Sequence, residues 1–356
     1  MLLFKGPRDQ ILEPLQSVCG IVEKRHTLPI LSNVLMEKDG EKLTLLATDI
    51  EIQITTRTPT IGAEKAAMTV GARKLQDILR SLPESAEVSL ALEDKRLQLK
   101  AGKSRFNLQT LPAEDFPRMS AADGQSTRLL ITQKKMKRLL GLVQYAMAQQ
   151  DIRYYLNGLL LVAKGKELRM VATDGHRLAY AAEMLDDAPA PIEVILPRKT
   201  VLELSRQLAD SDEPLEITLT PTQARFSFGG IELVSKLIDG KFPDYERVIP
   251  QHHSKLIKLS RNTLLHSLLR AAILTNEKFR GVRLVLGAGS LKIISSNAEQ
   301  EEAQEEIEVD YGGEVLDVGF NVTYLLDVLN NVGNETIELH LADANSSALF
   351  VLPGNE

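Results

Sequence analysis

The sequence says nearly the same thing three times, and this constrains its fold more than any other feature. Leu43-Thr-Leu-Leu-Ala-Thr-Asp-Ile-Glu51 returns as Leu168-Arg-Met-Val-Ala-Thr-Asp-Gly-His176, with a weaker copy at Leu291-Lys-Ile-Ile-Ser-Ser-Asn-Ala-Glu299. Thr48 and Thr173 lie 125 residues apart, and Thr173 and Ser296 lie 123 apart. A second set follows each of these: Ala72–Leu79, Pro197–Leu204 and Asn321–Val328. A third set, Leu111-Pro-Ala-Glu-Asp-Phe-Pro117 and Ile238-Asp-Gly-Lys-Phe-Pro243, closes the first two copies. Solenoid repeats run to about 20–50 residues, so this longer period means duplicated domains. A chain of 356 residues is also too long for one ordinary core. The expected domains are 1–125, 126–252 and 253–356.

Each copy opens with apolar residues at one-sided helical spacing. They are Ile11, Leu12, Leu15, Val18 and Val22, then Met136, Leu139, Leu140, Val143 and Met147, then Leu264, Leu265, Leu268 and Ala272. Pro14 interrupts the first helix and removes one backbone bond. Strand-like stretches follow, such as 156–162 and 168–172 around the turn Lys164-Gly-Lys166. A second helix is predicted over 73–82, 197–208 (proline in its first turn) and 322–332, and further alternating strands complete each copy. The class is α+β, with two helices packed on antiparallel sheets in each of three repeated domains.

Several functions are excluded or disfavoured. No apolar run reaches the ~18 residues that span a bilayer, and Met1–Gln10 lacks the apolar core of a secretory signal, so it reads as structure. The lone Cys19 rules out an internal disulfide framework and a cysteine zinc site, and a reduced, cytoplasmic setting is expected. There is no phosphate-binding G-x-x-x-x-G-K-[ST] loop, no H-E-x-x-H and no G-x-S-x-G. The six histidines (26, 176, 252, 253, 266 and 340) have no metal-ligand spacing, and His252-His253 sits in a polar linker. No catalytic residue, metal or cofactor is therefore expected. Two alternatives stay open: a hydrolase using Asp174 and His176, and a monomeric repeat scaffold that binds only proteins. Against the first, Asp49 and Asp174 hold equivalent repeat positions, which suits a turn better than a catalytic pair.

Charge is segregated by thirds. Residues 1–125 carry 17 basic and 17 acidic side chains, 126–252 carry 17 and 16, and 253–356 carry 8 and 15. The net charges are 0, +1 and −7, within a total of −6. Yet the helices of the second copy carry Lys134, Lys135, Lys137 and Arg138, then Arg198, Lys199 and Arg206, and the first offers Arg73, Lys74 and Arg80. One such face is normally just solvated; recurrence at equivalent places in an acidic protein suits a polyanion gripped through its phosphates. Helix 322–332 has no lysine or arginine, so any such surface is weaker there. Separately, 299–308 is strongly acidic and 95–105 strongly basic, and complementary ends of a repeat array favour head-to-tail contact. Lys74, Ile78, Leu82, Arg96, Lys103, Arg105, Phe106 and Leu108 on one end, and Ile273, Leu274, Glu299, Glu301, Glu302 and Glu305 on the other, are the candidates for a dimer interface. Three units in each of two chains suggest a closed dimeric ring with pseudo-six-fold symmetry.

Thr27-Leu-Pro-Ile-Leu31, Asp151-Ile-Arg-Tyr-Tyr-Leu-Asn-Gly158, Ala172-Thr-Asp-Gly-His-Arg-Leu178, Phe242-Pro-Asp-Tyr245 and Asn276-Glu-Lys-Phe-Arg-Gly281 resemble the bacterial DNA polymerase III beta subunits, the sliding-clamp family. The match runs in order over nearly the whole chain. It implies a homodimeric ring threaded by double-stranded DNA, without sequence preference, that gives the polymerase processivity and is loaded by a separate ATP-driven clamp loader. The resemblance places Arg25, Arg73, Gln150, Tyr154, Tyr155, Arg198, Lys199 and Arg206 near DNA. For the two tyrosines, core packing is the competing role. It also implies a groove for a short peptide from the polymerase alpha subunit, the loader, other polymerases and repair factors. The matching positions are Leu156, Thr173, Gly175, His176, Arg177, Leu178, Pro243, Arg247, Val248, Asn321, Tyr324 and Ser347. Clamps of this type end in a hydrophobic segment containing Met-Pro-Met, which forms a last strand and one wall of that groove. This sequence stops at Leu352-Pro-Gly-Asn-Glu356, and Ala348–Val351 reads as a strand that expects another beside it.

Overall fold

The computed structural model describes residues 1–23, 28–120, 124–251 and 253–354. The first copy runs β1 (Leu2–Pro7), α1 (Arg8–Cys19), β2 (Asn33–Asp39), β3 (Lys42–Thr48), β4 (Ile52–Pro59), β5 (Lys65–Gly71), α2 (Ala72–Ser81), β6 (Glu87–Glu93), β7 (Arg96–Ala101) and β8 (Ser104–Leu111). The second repeats this order: β9 (Thr127–Thr132), α3 (Gln133–Val143), β10 (Gly158–Lys164), β11 (Glu167–Thr173), β12 (Leu178–Met184), β13 (Ile192–Pro197), α4 (Arg198–Gln207), β14 (Pro214–Leu219), β15 (Gln223–Phe228) and β16 (Ile231–Lys236). The third comprises β17 (Lys255–Ser260), α5 (Arg261–Ala272), β18 (Gly281–Gly287), β19 (Ser290–Ser296), β20 (Glu302–Glu308), β21 (Leu316–Asn321), α6 (Val322–Asn331), β22 (Thr336–Leu341) and β23 (Leu349–Val351). The class is α+β with antiparallel strands; the third copy repeats the order of the first two element by element as far as β23, and no described strand stands where β8 and β16 do.

The apolar helix faces read from the sequence are the buried ones: Ile11, Leu12, Leu15 and Val18 on α1, and Met136, Leu139, Leu140 and Val143 on α3. Each large side chain so buried contributes about 1.5–3 kcal/mol. Val22 and Met147 are buried as well, but just beyond their helices. Helix α1 continues through Pro14. The proline's missing N–H leaves the Gln10 carbonyl without its helical partner, and the buried Thr58 hydroxyl of β4 donates to it at 2.8 Å. Some boundaries differ from expectation. The strand expected from Leu156 starts at Gly158, because Tyr154–Leu156 forms a 3₁₀ turn with the Leu156 N–H bonded to the Arg153 carbonyl at 2.8 Å. Helix α4 starts at Arg198, so Pro197 ends β13 rather than lying in the first helical turn.

By contacts the chain forms two compact units, Met1–Phe242 and Pro243–Glu356. The first contains two copies fused through a twelve-stranded sheet, ordered β1-β6-β7-β8-β5-β2-β3-β4-β16-β15-β14-β9. The join is β4 against β16, with Ile54 opposite Leu233 and Gln53 opposite Val234. Around this seam the Gln207 amide donates to the Ser17 carbonyl at 2.7 Å, Lys236 pairs with Glu51 at 3.0 Å, and Lys199 bonds Asp49 and Glu23. In the second unit, β20 and β21 edge one sheet, and β17 and β23 edge the other. Among the described residues β23 pairs with β22 alone, whereas its counterparts β7 and β15 are flanked on both sides.

Candidate nucleic-acid, peptide and assembly surfaces

The cations expected to meet phosphate lie near helix ends and are anchored by the protein itself. Arg73 donates to the Val22 carbonyl at 2.5 Å, and Arg198 reaches the Met147 carbonyl at 3.4 Å. Arg206, on the last turn of α4, bonds Glu203 at 2.6 and 3.1 Å; that bond outweighs partial burial and holds its pKa above the ordinary value. Burial opposes the charge on Lys199, but Asp49 and Glu23 outweigh it and raise its pKa too. On α3, Lys135 pairs with Glu183 at 3.1 Å, while Lys134 is exposed. A guanidinium has five donors, so Arg73 and Arg206 keep hydrogen-bonding capacity after these contacts. Arg25 lies outside the described residues.

The loop between α3 and β10 carries the remaining positions. Asp151 ties it together: its carboxylate accepts the Arg153 N–H and Nε at 2.8 and 3.0 Å, and its own N–H meets Asn157 Oδ1 at 2.9 Å. The Arg153 side-chain bond, then its backbone bond, lowers the Asp151 pKa to about 2. Gln150 adopts a left-handed φ of 55° on this loop. Tyr154 is 58% exposed, so core packing is not its role, and Tyr155 is half-buried, edge-on to Tyr154 at 5.8 Å between ring centroids. Ile152, fully outside at 97% exposure, was not among the expected positions; a lone isoleucine between charges carries no signal in sequence.

The peptide-groove positions fall as two half-sets. In the first unit Leu156 is buried, Thr173 ends β11, and Gly175, His176, Arg177 and Leu178 form the turn into β12. Asp174 Oδ1 accepts the His176 and Arg177 N–H groups at 2.9 and 3.0 Å, and Asp174 Oδ2 takes Arg177 Nε at 3.1 Å. Asp49 caps the matching turn the same way, to Glu51 and Ile52 at 2.9 and 2.8 Å. Asp174 is thus a turn residue, which removes the basis for pairing it with His176 as a hydrolytic couple. Arg177 also donates to the Tyr145 carbonyl at 2.8 Å and stacks over that ring. A cavity of about 340 Å³ lies beside this turn, lined by Tyr145, Met147, His176, Arg177 and Arg198 among others. In the second unit Pro243, Arg247 and Val248 are exposed around the 3₁₀ turn Tyr245–Arg247, and Arg247 pairs with Asp244 at 2.9 Å. Asn321 caps α6 by accepting the Thr323 N–H at 2.9 Å, Tyr324 is half-buried on that helix, and Ser347 is exposed before β23.

The assembly candidates also form two sets. Arg96, Lys103 and Arg105 are exposed on the β7–β8 hairpin and Lys74 on α2, while Phe106, Leu108, Ile78 and Leu82 are half-buried. Opposite in character, Ile273 stands 77% exposed just past α5, beside a half-buried Leu274. Glu299 and Glu301 are exposed in the turn before β20, and Glu302 is exposed at its first position. Glu305 differs: it is held within its own unit by Arg270 at 2.5 and 2.8 Å, which lowers its pKa.

Three family models cover the chain in succession: the N-terminal domain of the DNA polymerase III beta subunit over residues 2–120, its central domain over 130–244 and its C-terminal domain over 246–356. A beta sliding clamp of Pseudomonas putida is 49% identical, with 99% of this chain and 96% of that protein aligned. The Escherichia coli beta sliding clamp is 45% identical over 97% and 94%. Among solved structures, the DNA polymerase III subunit beta of Pseudomonas aeruginosa superposes with a TM-score of 0.96 at 47% identity, covering 100% of this chain and 97% of that one. Identity at this level over three consecutive domain models leaves one assignment: the chain belongs to the DNA polymerase III beta subunit family, the beta sliding clamps.

Proposed function

We propose that two copies of the chain close head to tail into a ring around duplex DNA and tether the replicative polymerase to its template. As a member of the sliding-clamp family, the chain is a processivity factor of DNA replication and not an enzyme. The observation that carries the ring is the seam inside Met1–Phe242, where β4 of one repeat pairs with β16 of the next. In the third repeat β20 holds the position of β4, and in the first repeat β8 holds that of β16. Both have a bare side: β20 ends its sheet, and Ser104–Gln109 of β8 pair only with β7 among the described residues. Bare strand edges are templates for pairing. Applying the seam's register to β20 of one protomer and β8 of its partner sets Arg105 opposite Gln304, diagonal to Glu302 and Glu306. Cross-strand neighbours at these positions are within reach of long side chains. The two ends also differ in charge, 0 for residues 1–125 and −7 for 253–356, which steers association.

Encirclement explains the modest cation count. A ring is retained by topology, so Arg73, Arg198, Lys199, Arg206 and the 149–155 loop need supply only a salt-screened attraction without sequence readout. The two groove half-sets serve the short peptide of the polymerase alpha subunit, the clamp loader, other polymerases and repair factors. The domains are those drawn at 1–125, 126–252 and 253–356, and the ring works in the cytoplasm on the nucleoid without a cofactor. Among the described residues no helix is long and apolar enough to cross a membrane. The test combines sedimentation with DNA retention after loading with clamp loader and ATP. A dimer that stays on nicked circles and runs off the same DNA once linearised supports the ring; equal retention on both forms refutes it.

A further inference from the structure

The seam between the first two copies holds a cavity of about 350 Å³, lined by Thr48, Ile50, Pro117, Met119, Gln223 and Lys236 among others. This size falls within the range of ligand clefts. Four of its walls are repeat counterparts of positions assigned to the peptide groove. Thr48 matches Thr173, Ile50 matches Gly175, and Pro117 matches Pro243 through the shared Phe-Pro ending. Gln223 matches Ser347, because each lies four residues before the strand position (Ser227, Val351) that faces Glu216 or Glu338. The turns are built alike. Thr48 Oγ1 donates to the Ile52 carbonyl at 2.9 Å and accepts the Ile50 N–H at 3.0 Å; Thr173 does the same with Arg177 and Gly175 at 2.7 and 3.1 Å.

The two sites differ where it matters for a ligand. Ile50 has a φ of 80°, close to the 89° of Gly175, and a β-branched residue is a genuine outlier in that region. Its side chain is not held there by burial, since it is 39% exposed at the cavity. Strain kept at an open pocket is characteristic of ligand contacts. Ile50, Pro117 and Met119 make the walls apolar, and two cations stand at the rim. Each already binds a carboxylate: Arg118 holds Glu37 in a two-point contact at 2.5 and 3.0 Å, and Lys236 holds the exposed Glu51 at 3.0 Å. Glu51 is mostly exposed in its pair with Lys236, so an incoming carboxylate can compete with it for that lysine.

The geometry points to a second peptide pocket at this seam, one that takes an extended segment of a partner protein bearing an apolar side chain beside a carboxylate. The repeat equivalence rests on the groove reading above; the cavity, its apolar walls and its cations do not. The test uses the full chain with isoleucine, leucine and methionine methyls labelled for NMR, titrated with acetyl-Leu-Leu-Asp-amide. Saturable shifts are expected at the Ile50 and Met119 methyls. Ile50→Asp, which suits the left-handed backbone better than isoleucine, should weaken the Met119 response at least tenfold. Leu178→Asp should leave it unchanged. Acetyl-Leu-Leu-Asn-amide, lacking the carboxylate, should bind at least fivefold more weakly. A Met119 methyl that does not saturate, that ignores Ile50→Asp, that is silenced by Leu178→Asp, or that responds equally to both peptides overturns the proposal. A silent Leu178 methyl with a saturating Met119 counts against the groove reading and supports this one.

Discussion

Ile273 tests the proposed junction between protomers most directly. It follows α5 with 77% of its surface exposed, at the position that Gly20 holds after α1. Gly20 abuts Glu203 and Arg206 at the covalent seam, so under the proposed ring the same geometry between protomers would bury Ile273. Ile273→Ala removes three carbons, worth about 0.8 kcal/mol each once buried, or about 2.4 kcal/mol per junction. A closed dimer contains two such junctions and dissociation breaks both, so the loss is about 5 kcal/mol. At ~1.4 kcal/mol per factor of ten, the dimer Kd should rise by about three orders of magnitude or slightly more. The isolated protomer loses almost nothing, because the side chain is in water there. Sedimentation velocity over a dilution series measures the first effect, and thermal melting of the diluted monomer the second. A Kd within tenfold of the parent refutes the reasoning. So does a melting point lowered by several degrees, since Ile273 would then be packing within its own unit.

Three other outcomes follow from individual side chains. Thr58→Val strands the Gln10 carbonyl that Pro14 has already deprived of a helical partner. The expected cost is about 1–3 kcal/mol, or ~2–4 °C per kcal/mol in the melting of Met1–Phe242; a smaller loss in a Pro14→Ala background, measured as a double-mutant cycle, identifies the carbonyl as the cause. Asp151 has its carboxyl held at about 2, below its ordinary value, so its hold on Arg153 is fully present above the usual carboxylate range and is lost as pH falls through about 2. Carboxyl-carbon NMR should place its midpoint there and return it toward normal in Arg153→Ala; an ordinary midpoint in the parent would show the loop tie to be absent. Burial pushes the Cys19 thiol up to about 12, so at pH 8 a thiol reagent should label it only through unfolding, at a rate that tracks denaturant. Rapid labelling of the native protein would contradict that burial.

The fold was legible in sequence where one copy could be checked against another. A single Leu43–Glu51 stretch is an ambiguous apolar run, but its return at Leu168 with the same Thr-Asp step identifies a strand and its turn, and both Asp49 and Asp174 cap that turn. Charge was only half legible. The sequence lists cations but not their partners, and the partners of Lys199, Glu23 and Asp49, lie 176 and 150 residues away. The basic helix face is therefore smaller in the structure than in the residue count. Least legible was backbone strain. Nothing about an isoleucine announces φ of 80°; the available signal was the glycine standing at its counterpart, Gly175.

That same comparison explains why one junction type serves two purposes. At the covalent seam the chain itself holds β4 and β16 together, so little apolar surface is needed, and the site opposite Glu203 and Arg206 can be a glycine; a Cβ on Gly20 would collide with both. Between protomers, association must overcome lost translational and rotational freedom of at least ~4 kcal/mol before any contact shows as affinity. The glycine's counterpart is accordingly an exposed isoleucine, and the strand that replaces β16 carries Arg105 and Phe106 where β16 has Glu232 and Leu233. Replacing Ile273 by glycine together with Arg105 by glutamate would restore the covalent seam's own residues at the open one. If the strand edges alone sufficed to close the ring, that double variant would keep a dimer Kd within tenfold of the parent; losing the buried isoleucine at both junctions should instead raise it by at least three orders of magnitude.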